Sequence, residues 1–579
     1  MTSFLGIDSS LTGRRWVGPD LATERAAEHL AQQTALPRAL CQTLARLEVG
    51  AEETGPFLDP KLRDLLPDPR SLRDMRPAAE RMLQAVSGKE RIAIFADYDV
   101  DGGCSAALLL DWLRQLGRTA TLYVPDRIDE GYGPNVPAMQ ALSSDHDLII
   151  CVDCGTLSHD PIAAVDDADV IVLDHHLGGE TLPKALAVVN PNRQDEDGTL
   201  AHLCAAAVVF LLLVEANRLL PAQGSRPDLM SMLDLVGLAT VADVAPLRGV
   251  NRAFVRQGLR VLAQRQRPGL AALADVARLD QRPTSYHLGF VLGPRINAGG
   301  RIGQADLGAR LLSTTNPTEA QAWAQRLDSL NTERREVESA VRAAALVQAE
   351  ERGLDAPLVW AAGDGWHPGV VGIVASRLKE LTNRPAIVIG FDGSEGKGSG
   401  RSVTGVDLGA SIQKLAAEGL LVKGGGHKMA AGLTVDRAAL EPAMTRLGDL
   451  LARQGAGSGG AADLKLDGVL MPGAATPELI AKLETAGPFG AGAAAPRYAF
   501  PDVQIHFVRR VGESHLKVSF GDGHGQKLDA IAFGAFDGPL GAALSNHNGS
   551  RFHLAGRLEL NVWGGRTSAQ VRLEDAAPA

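Results

Sequence analysis

From about residue 91 the chain alternates short apolar runs with stretches of mixed polarity. Residues 91–96 (RIAIFA), 119–124, 147–152 (DLIICV) and 169–173 (DVIVL) are short, rich in Ile and Val, and bounded by charged or turn-forming residues. They read as buried strands, and residues 105–116 read as a helix between the first two. Continuous apolar strands separated by helices predict a parallel sheet covered on both faces. Residues 203–244 are apolar and helical in pattern, and helix continues to about residue 350. Residues 318–351 hold neither Gly nor Pro and predict a long connector helix. A second α/β unit opens near residue 356, with strands at 358–362 and 386–390 and a helix at 369–381. Residues 503–508 and 551–555 switch to an alternation of period two, which predicts a small all-β barrel or sandwich. Residues 21–47 keep helical spacing, Pro56, Pro60, Pro67 and Pro69 then punctuate the chain, and residues 455–462 (GAGSGGAA) read as a linker.

The expected architecture is α/β: two α/β lobes joined by a long helix, followed by an all-β domain. The expected divisions are a helical lead-in over 1–80, a first lobe over 81–250, a helical connector over 251–350, a second lobe over 351–455 and the β domain over 463–575. A length of 579 residues is compatible with this, at about 100–200 residues per domain.

Composition removes several alternatives. With 45% apolar and 22% charged residues the chain is not predominantly disordered. Its apolar runs, such as 205–214, fall short of the roughly 20 residues of a membrane span. The first residues lack a basic start followed by an apolar core, so neither secretion nor a membrane is expected. Five cysteines are too few for a disulfide scaffold, and the odd number fits a reducing cytoplasm. A net charge of −10 excludes a general basic coat but not a local basic groove. With 4% aromatic residues, any base-stacking platform must be small.

The chemistry is carried by acidic residues at strand ends. The strand at 91–96 runs into Asp97-Tyr-Asp99-Val-Asp101-Gly-Gly, that at 147–152 into Asp153-Cys-Gly, and that at 169–173 into Asp174-His175-His176. The helical run 233–242 delivers Asp243. A single Asp after a strand is usually a turn or helix cap. Three strands ending alike instead mark the carboxyl edge of the sheet, where α/β proteins bind ligands. Carboxylates about 4 Å apart repel by roughly 4 kcal/mol per pair at an effective dielectric near 20, which divalent cations would relieve. Oxygen donors favour Mg²⁺ or Mn²⁺, and an added imidazole tilts the choice towards Mn²⁺. A calcium loop is excluded because Leu108 stands where an EF-hand needs Glu. Cys151 and Cys154 read as buried packing rather than a zinc or redox pair. Two cations bridged by one carboxylate suit hydrolysis of a phosphoester. In the second lobe, Gly424–His427 reads as a flexible glycine loop whose N–H groups can approach a phosphate, and Arg401 beside Ser399 can grip one by a forked contact.

The strings DYDVDG (97–102), VDCG (152–155), DHH (174–176) and VADVAPL (241–247) resemble the motifs of the DHH phosphoesterase superfamily. EGYGPN (130–135), LCAAAVVF (203–210), PRINAGGRI (294–302), WHPGVVGIVASRL (366–378), GSGRS (398–402) and GGGHKMAAGLT (424–434) narrow the resemblance to its RecJ family of single-strand-specific exonucleases. It extends over about residues 60–500. It implies a DHH catalytic domain over 81–250, a DHHA1 phosphate-binding domain over 351–455 and an OB-like nucleic-acid-binding domain over 463–575. The implied activity is 5′-to-3′ degradation of single-stranded DNA to nucleoside monophosphates in DNA repair and recombination. The implied cofactor is a pair of Mn²⁺ or Mg²⁺ ions held by Asp97, Asp99, Asp101, Asp153, His175 and Asp243, with Asp153 as the bridge. Asp174 would orient His175, and His176 would face the scissile phosphate. Ser399 and Arg401, helped by Arg127 and joined by His427, would hold the 5′ phosphate, while Arg295 would line the cleft. Candidate partners are single-stranded DNA with a 5′ end, a single-strand-binding protein and a helicase. A cytoplasmic monomer is expected.

Two positions depart from the family pattern. Phe95 stands where some members carry a His, and Lys428 where a small residue is expected. Two rival readings differ in their demands. A DHH phosphoesterase acting on short oligonucleotides or other small phosphoesters would need no β tail. A catalytically dead scaffold would be expected to lose ligands, whereas every acidic position is present here.

Overall fold

The computed structural model describes residues 3–126, 130–222, 226–457, 462–523, 525–563 and 565–579. They form two compact units. One comprises Pro60–Arg335 with Pro488–Ala494; the other comprises the residues up to Asp59, Glu336–Gly487 and Ala495–Ala579. The linker expected at 455–462 falls largely outside the described residues, since 458–461 are not among them.

The first unit is built on five strands in the order Thr121–Tyr123, Ile92–Ala96, Leu148–Val152, Asp169–Leu173, Ala187–Val189, all parallel. The sequence pattern predicts the first four. Ala187–Val189 is only three residues long and carries too little periodicity to stand out. Ile92–Ala96 and Leu148–Val152 are buried along their whole length, as a sheet covered on both faces requires. One face packs Phe95, Ile149, Cys151 and Val172 against Met139 and Leu142 of the helix Val136–Asp145. The helices Val100–Gln115 and Ala205–Leu219, both almost wholly buried, pack together and are tied where Trp112 Nε1 donates to Asn217 Oδ1 at 2.8 Å. Phe95 is a fully buried core residue stacked on Tyr123 at 5.3 Å, which accounts for its apolar character.

In the second unit a five-stranded sheet runs in the order Lys423–His427, Ala430–Asp436, Glu395–Arg401, Ala386–Asp392, Val359–Asp364. Only the last pair is parallel, so this lobe is a mixed sheet. The flexible loop expected at Gly424–His427 is instead an edge strand in register with Ala430–Asp436. Composition suggested a loop, but the side-chain-free strand lets the helix Leu408–Ala417 lie directly on its backbone: a Cβ at position 409 would sit 2.7 Å from the Gly426 carbonyl oxygen. Lys428 lies in the exposed turn of this hairpin and uses its carbonyl to accept from Leu408 N at 3.1 Å, so its side chain meets no packing demand.

The β tail is a closed barrel. Tyr498–Val511, His515–Gly521, Lys527–Ala532, Arg566–Pro578 and Arg551–Trp563 pair in succession, and Arg551–Trp563 returns to Tyr498–Val511. The lead-in expected to be helical contains a strand, Trp16–Val17, parallel to Leu464–Lys465. Trp16 is fully buried and donates from Nε1 to Asp575 Oδ2 at 3.0 Å, a contact across 559 residues of sequence that no local pattern reveals. The connector helix Pro317–Arg352 has 36 residues, about 54 Å at 1.5 Å per residue, and crosses the boundary between the units. Among the described residues no helix is long and apolar enough to cross a membrane.

Candidate metal centre

In the parallel sheet Ala96 pairs with Val152, Val152 with Leu173, and Leu173 with Val189. The next residue on each strand is therefore Asp97, Asp153, Asp174 and Asn190, aligned in one row along the carboxyl edge. The backbone holds that row: Asp97 N donates to Val152 O at 3.4 Å, Asp153 N to Leu173 O at 2.9 Å, and Asp174 N to Val189 O at 3.1 Å.

Beyond the row, Asp99 caps the helix Val100–Gln115, its Oδ1 accepting from Asp101 N at 2.9 Å and Gly102 N at 3.1 Å. Gly102 is required there, since a Cβ would lie 2.4 Å from the Asp97 carbonyl oxygen. Asp101 is buried and accepts from Ala205 N at 2.7 Å and Ala206 N at 2.8 Å, the open amino end of the helix Ala205–Leu219. Helix N–H groups thus hold this carboxylate in place. Asp153 sits at the end of its strand with φ +61°, a left-handed conformation that Asp tolerates better than most residues. Asp243 follows the helix Leu233–Ala242.

His175 draws these elements together. Its Nε2 lies 3.3 Å from Asp153 Oδ1 and 3.7 Å from Asp101 Oδ2, and its Nδ1 lies 3.8 Å from Asp243 Oδ2. Three groups offer ligand atoms within 4.8 Å of one another: Asp97–Asp99–Asp153, Asp153–His175–His176 and Asp101–His175–Asp243. Asp153 and His175 each belong to two of them.

The crowding has an electrostatic signature. Burial, and then the charges of Asp101, Asp99, Asp97 and Asp174, push Asp153 well above the usual carboxylate range. Burial, followed by Asp101 and Asp99, pushes Asp243 up to about 8. Burial also raises Asp101, against the attraction of His175. Asp153 Oδ1 is buried and accepts no hydrogen bond among the described residues. A buried carboxylate oxygen without a donor, among other carboxylates and one imidazole, fits a divalent cation. Hard oxygen donors with one nitrogen suit Mn²⁺ or Mg²⁺.

Asp174 was expected to orient the ring of His175, and it does not. It takes His176 instead: Asp174 Oδ1 accepts from His176 Nδ1 at 2.8 Å and from the backbone N–H groups of His175 and His176. The strand ends at Leu173, and the Asp174 carboxylate turns back on the next two N–H groups as an Asx turn does, which brings it against the His176 ring. Burial opposes ionisation of Asp174, but the hydrogen bond and charge of His176, with Thr156 donating at 3.0 Å, outweigh it and lower its pKa. Reciprocally, burial disfavours charge on His176, yet Asp174 raises it to about 9.

Sequence reasoning missed the supporting amides. Asn190 Nδ2 donates to His176 O at 2.8 Å and to Thr156 Oγ1 at 2.8 Å, and Asn192 Nδ2 donates to His175 O at 2.6 Å. Both follow the unpredicted strand Ala187–Val189, so only recognition of that strand could have flagged them. Asn297, two residues from Arg295, accepts from Val100 N at 3.1 Å and steadies the Asp99 helix. Arg295 itself is committed to Asp328 at 2.8 Å and the Val291 carbonyl at 2.7 Å. Arg127 lies outside the described residues.

The second unit gathers the other expected group. Arg401 Nη1 donates to Ser399 Oγ at 3.0 Å and to Gly400 O at 2.8 Å. Arg401 pairs with Ala430, and Ala430 with His427, so Arg401 and His427 share a rung and a face of the sheet. The helix Pro368–Thr382 packs on Ser399 and Arg401 at Gly372, where a Cβ would lie 3.0 Å from Ser399 Oγ and 3.2 Å from Arg401 Nη2. His367 caps that helix, its Nδ1 accepting from Gly369 N at 3.0 Å. Neither Gly372 nor His367 was singled out from sequence, although both lie in the WHPGVVG string.

Comparison with known proteins follows these divisions. The DHH family N-terminal domain matches residues 91–240, the DHHA1 domain residues 355–453 and the RecJ OB domain residues 466–575. The chain is similar to the single-stranded-DNA-specific exonuclease RecJ of Escherichia coli, with 36% identity over 94% of this chain and 97% of that protein. The protein of the same name from Dickeya dadantii is 38% identical over 94% of this chain and 98% of its own length. That of Bacillus subtilis is 35% identical, and the chain spans 66% of its length. Among solved structures, RecJ of Thermus thermophilus in complex with Mn²⁺ superposes with a TM-score of 0.80 at 29% identity, covering 97% of this chain and 79% of that one. The same enzyme in complex with Mg²⁺ gives 0.73. Three domains in the same order, and similarity along nearly the full length of two relatives, lead to one conclusion: the chain belongs to the RecJ family of single-stranded-DNA-specific exonucleases.

Proposed function

We propose that the protein is a metal-dependent exonuclease that hydrolyses single-stranded DNA from its 5′ end to nucleoside monophosphates, acting in DNA repair and recombination. The observation that carries this reading is the row of Asp97, Asp153 and Asp174 at the carboxyl edge, with Asp99, Asp101, His175 and Asp243 folded over it.

In this reading Asp97, Asp99, Asp101, Asp153, His175 and Asp243 would hold two Mn²⁺ or Mg²⁺ ions, Asp153 being common to two of the ligand groups. Bound there, the ions would supply Lewis-acid activation of water and neutralisation of phosphoryl charge. The protein contributes a rigid cage: helix N–H groups fix Asp101, and Asn190 and Asn192 hold the carbonyls of His176 and His175. Asp174, bonded to His176 Nδ1, favours the charged ring, which faces the scissile phosphate as the water oxygen bonds to phosphorus, the P–O3′ bond breaks and the departing 3′ oxygen takes a proton from solvent. Arg401, Ser399 and His427 bind the 5′-terminal phosphate by charge-assisted hydrogen bonds, with Arg127 and Arg295 along the strand. A terminal phosphate as handle gives 5′-to-3′ polarity without reading bases.

The closed β-barrel favours a polymeric substrate over a dinucleotide, because OB-type barrels bind extended strands. All five cysteines are buried and unpaired, in keeping with a reducing cytoplasm. Every candidate ligand comes from one chain, so a monomer suffices. A single-strand-binding protein and a helicase are the partners such an enzyme needs, since its substrate strand arises by unwinding.

The test is digestion of end-labelled DNA, single- and double-stranded, with and without a 5′ phosphate, beside a dinucleotide, in Mg²⁺ and in Mn²⁺. The parent should degrade the phosphorylated single strand fastest, and Asp153→Ala should abolish digestion in both metals. Undiminished digestion by Asp153→Ala would place the centre elsewhere. Preference for the dinucleotide would instead favour a small-substrate phosphoesterase.

A further inference from the structure

We propose that Tyr132 is a positioning residue that holds the His176 ring in its working orientation. The inference rests on the reading of His176 given above. Tyr132 lies in the EGYGPN segment, to which no role has been attached. Its hydroxyl donates to the Asp153 carbonyl oxygen at 3.2 Å and stands 3.2 Å from His176 Nε2. The two rings meet edge to face, with centroids 5.9 Å apart and planes at 74°.

The His176 side chain is 46% exposed, and among the described residues its ring has one other hydrogen-bond partner, Asp174 at Nδ1. An imidazole held at a single nitrogen on an open surface can swing about its Cβ–Cγ bond. A second partner at Nε2 removes that freedom. The same hydroxyl grips the peptide of Asp153, the residue common to two of the ligand groups, so one side chain fixes the imidazole relative to the carboxylate row. The ring of Tyr132 is itself half exposed, so it adds little to the core. What it contributes is the placement of one hydroxyl.

The test is a double-mutant cycle on full-length protein. Tyr132→Phe and His176→Gln are made singly and together, and 5′-phosphorylated single-stranded DNA is digested with Mn²⁺ under single-turnover conditions, so that residual rates are measurable. Steady-state kcat and KM, and Mn²⁺ uptake by calorimetry, are recorded for Tyr132→Phe. Loss of the hydroxyl that ties His176 to the Asp153 carbonyl should lower kcat by about tenfold, leave KM and Mn²⁺ uptake unchanged, and have no further effect in the His176→Gln background. A parent-like rate for Tyr132→Phe, alongside a disabled His176→Gln, overturns the inference and leaves the reading of His176 standing. An undiminished Tyr132→Phe effect in the His176→Gln background overturns it too, as does a parallel fall in Mn²⁺ affinity, which would mark a structural role. A parent-like rate for His176→Gln removes the underlying reading and the inference with it.

Discussion

Asp243→Asn should change how the stability of the metal-free protein depends on pH. Asp243 Oδ2 shares a group of ligand atoms with Asp101 and His175 within 4.8 Å, and its side chain is 25% exposed. One charge pair at that distance is worth roughly 3 kcal/mol at an effective dielectric near 20. Burial, followed by the charges of Asp101 and Asp99, raises the Asp243 pKa from 3.8 to about 8. As pH rises, a carboxyl whose pKa is raised by folding loses its proton first in the unfolded chain. The group therefore costs nothing below pH 3.8, and its penalty grows until pH passes about 8. Each pH unit in that window is worth about 1.4 kcal/mol, so between pH 5 and pH 7.5 the parent should lose on the order of 3 kcal/mol that Asp243→Asn does not. The assay is urea unfolding in EDTA at both pH values. Amide exchange of the strand Leu148–Val152 would localise the change to the unit that holds the centre. Excess Mn²⁺ should reverse the trend, since the ionised carboxylate is the form a cation takes, and the parent should gain more from metal at pH 7.5 than at pH 5. A parent–variant difference in EDTA that stays flat with pH, or shrinks as pH rises, would refute the reasoning.

Two further perturbations have readable magnitudes. Arg401→Ala removes charge-assisted bonds to the proposed 5′ phosphate and should raise KM for phosphorylated strands roughly ten- to hundredfold, while barely touching 5′-hydroxyl strands. Gly372→Ala, whose Cβ would press on Ser399 and Arg401, should show a weaker version of the same loss, and equal effects on both strand types would count against the assignment. Arg267→Ala would strand Asp234, which it contacts at 2.9 Å and which is 3% exposed, whereas its other partner, Asp111, keeps Arg114 at 2.6 Å. Leaving a buried carboxylate without its cation should cost about 3–5 kcal/mol in urea unfolding, and a loss below about 1 kcal/mol would show that the site re-solvates.

The sequence by itself determined the local elements and the chemical type of the centre. Short Ile- and Val-rich runs read as strands buried on both faces, and the Gly-free, Pro-free stretch 318–351 reads as a long helix, so Ile92–Ala96, Leu148–Val152 and Pro317–Arg352 were legible. Asp residues at successive strand ends were legible for the same reason, because the carboxyl edge follows from chain direction alone. Tertiary structure decided everything that depends on register and on partners remote in sequence. It aligned Asp97, Asp153 and Asp174 in one row, turned Asp174 towards His176 rather than His175, and made an edge strand of a glycine run that reads as a loop. It also joined Trp16 to Asp575, brought Asn190 and Asn192 beneath the histidines and set Tyr132 against His176. Composition and periodicity describe a residue's neighbours along the chain. Hydrogen bonds and charges act between neighbours in space, and for these residues the two sets coincide only where the fold closes.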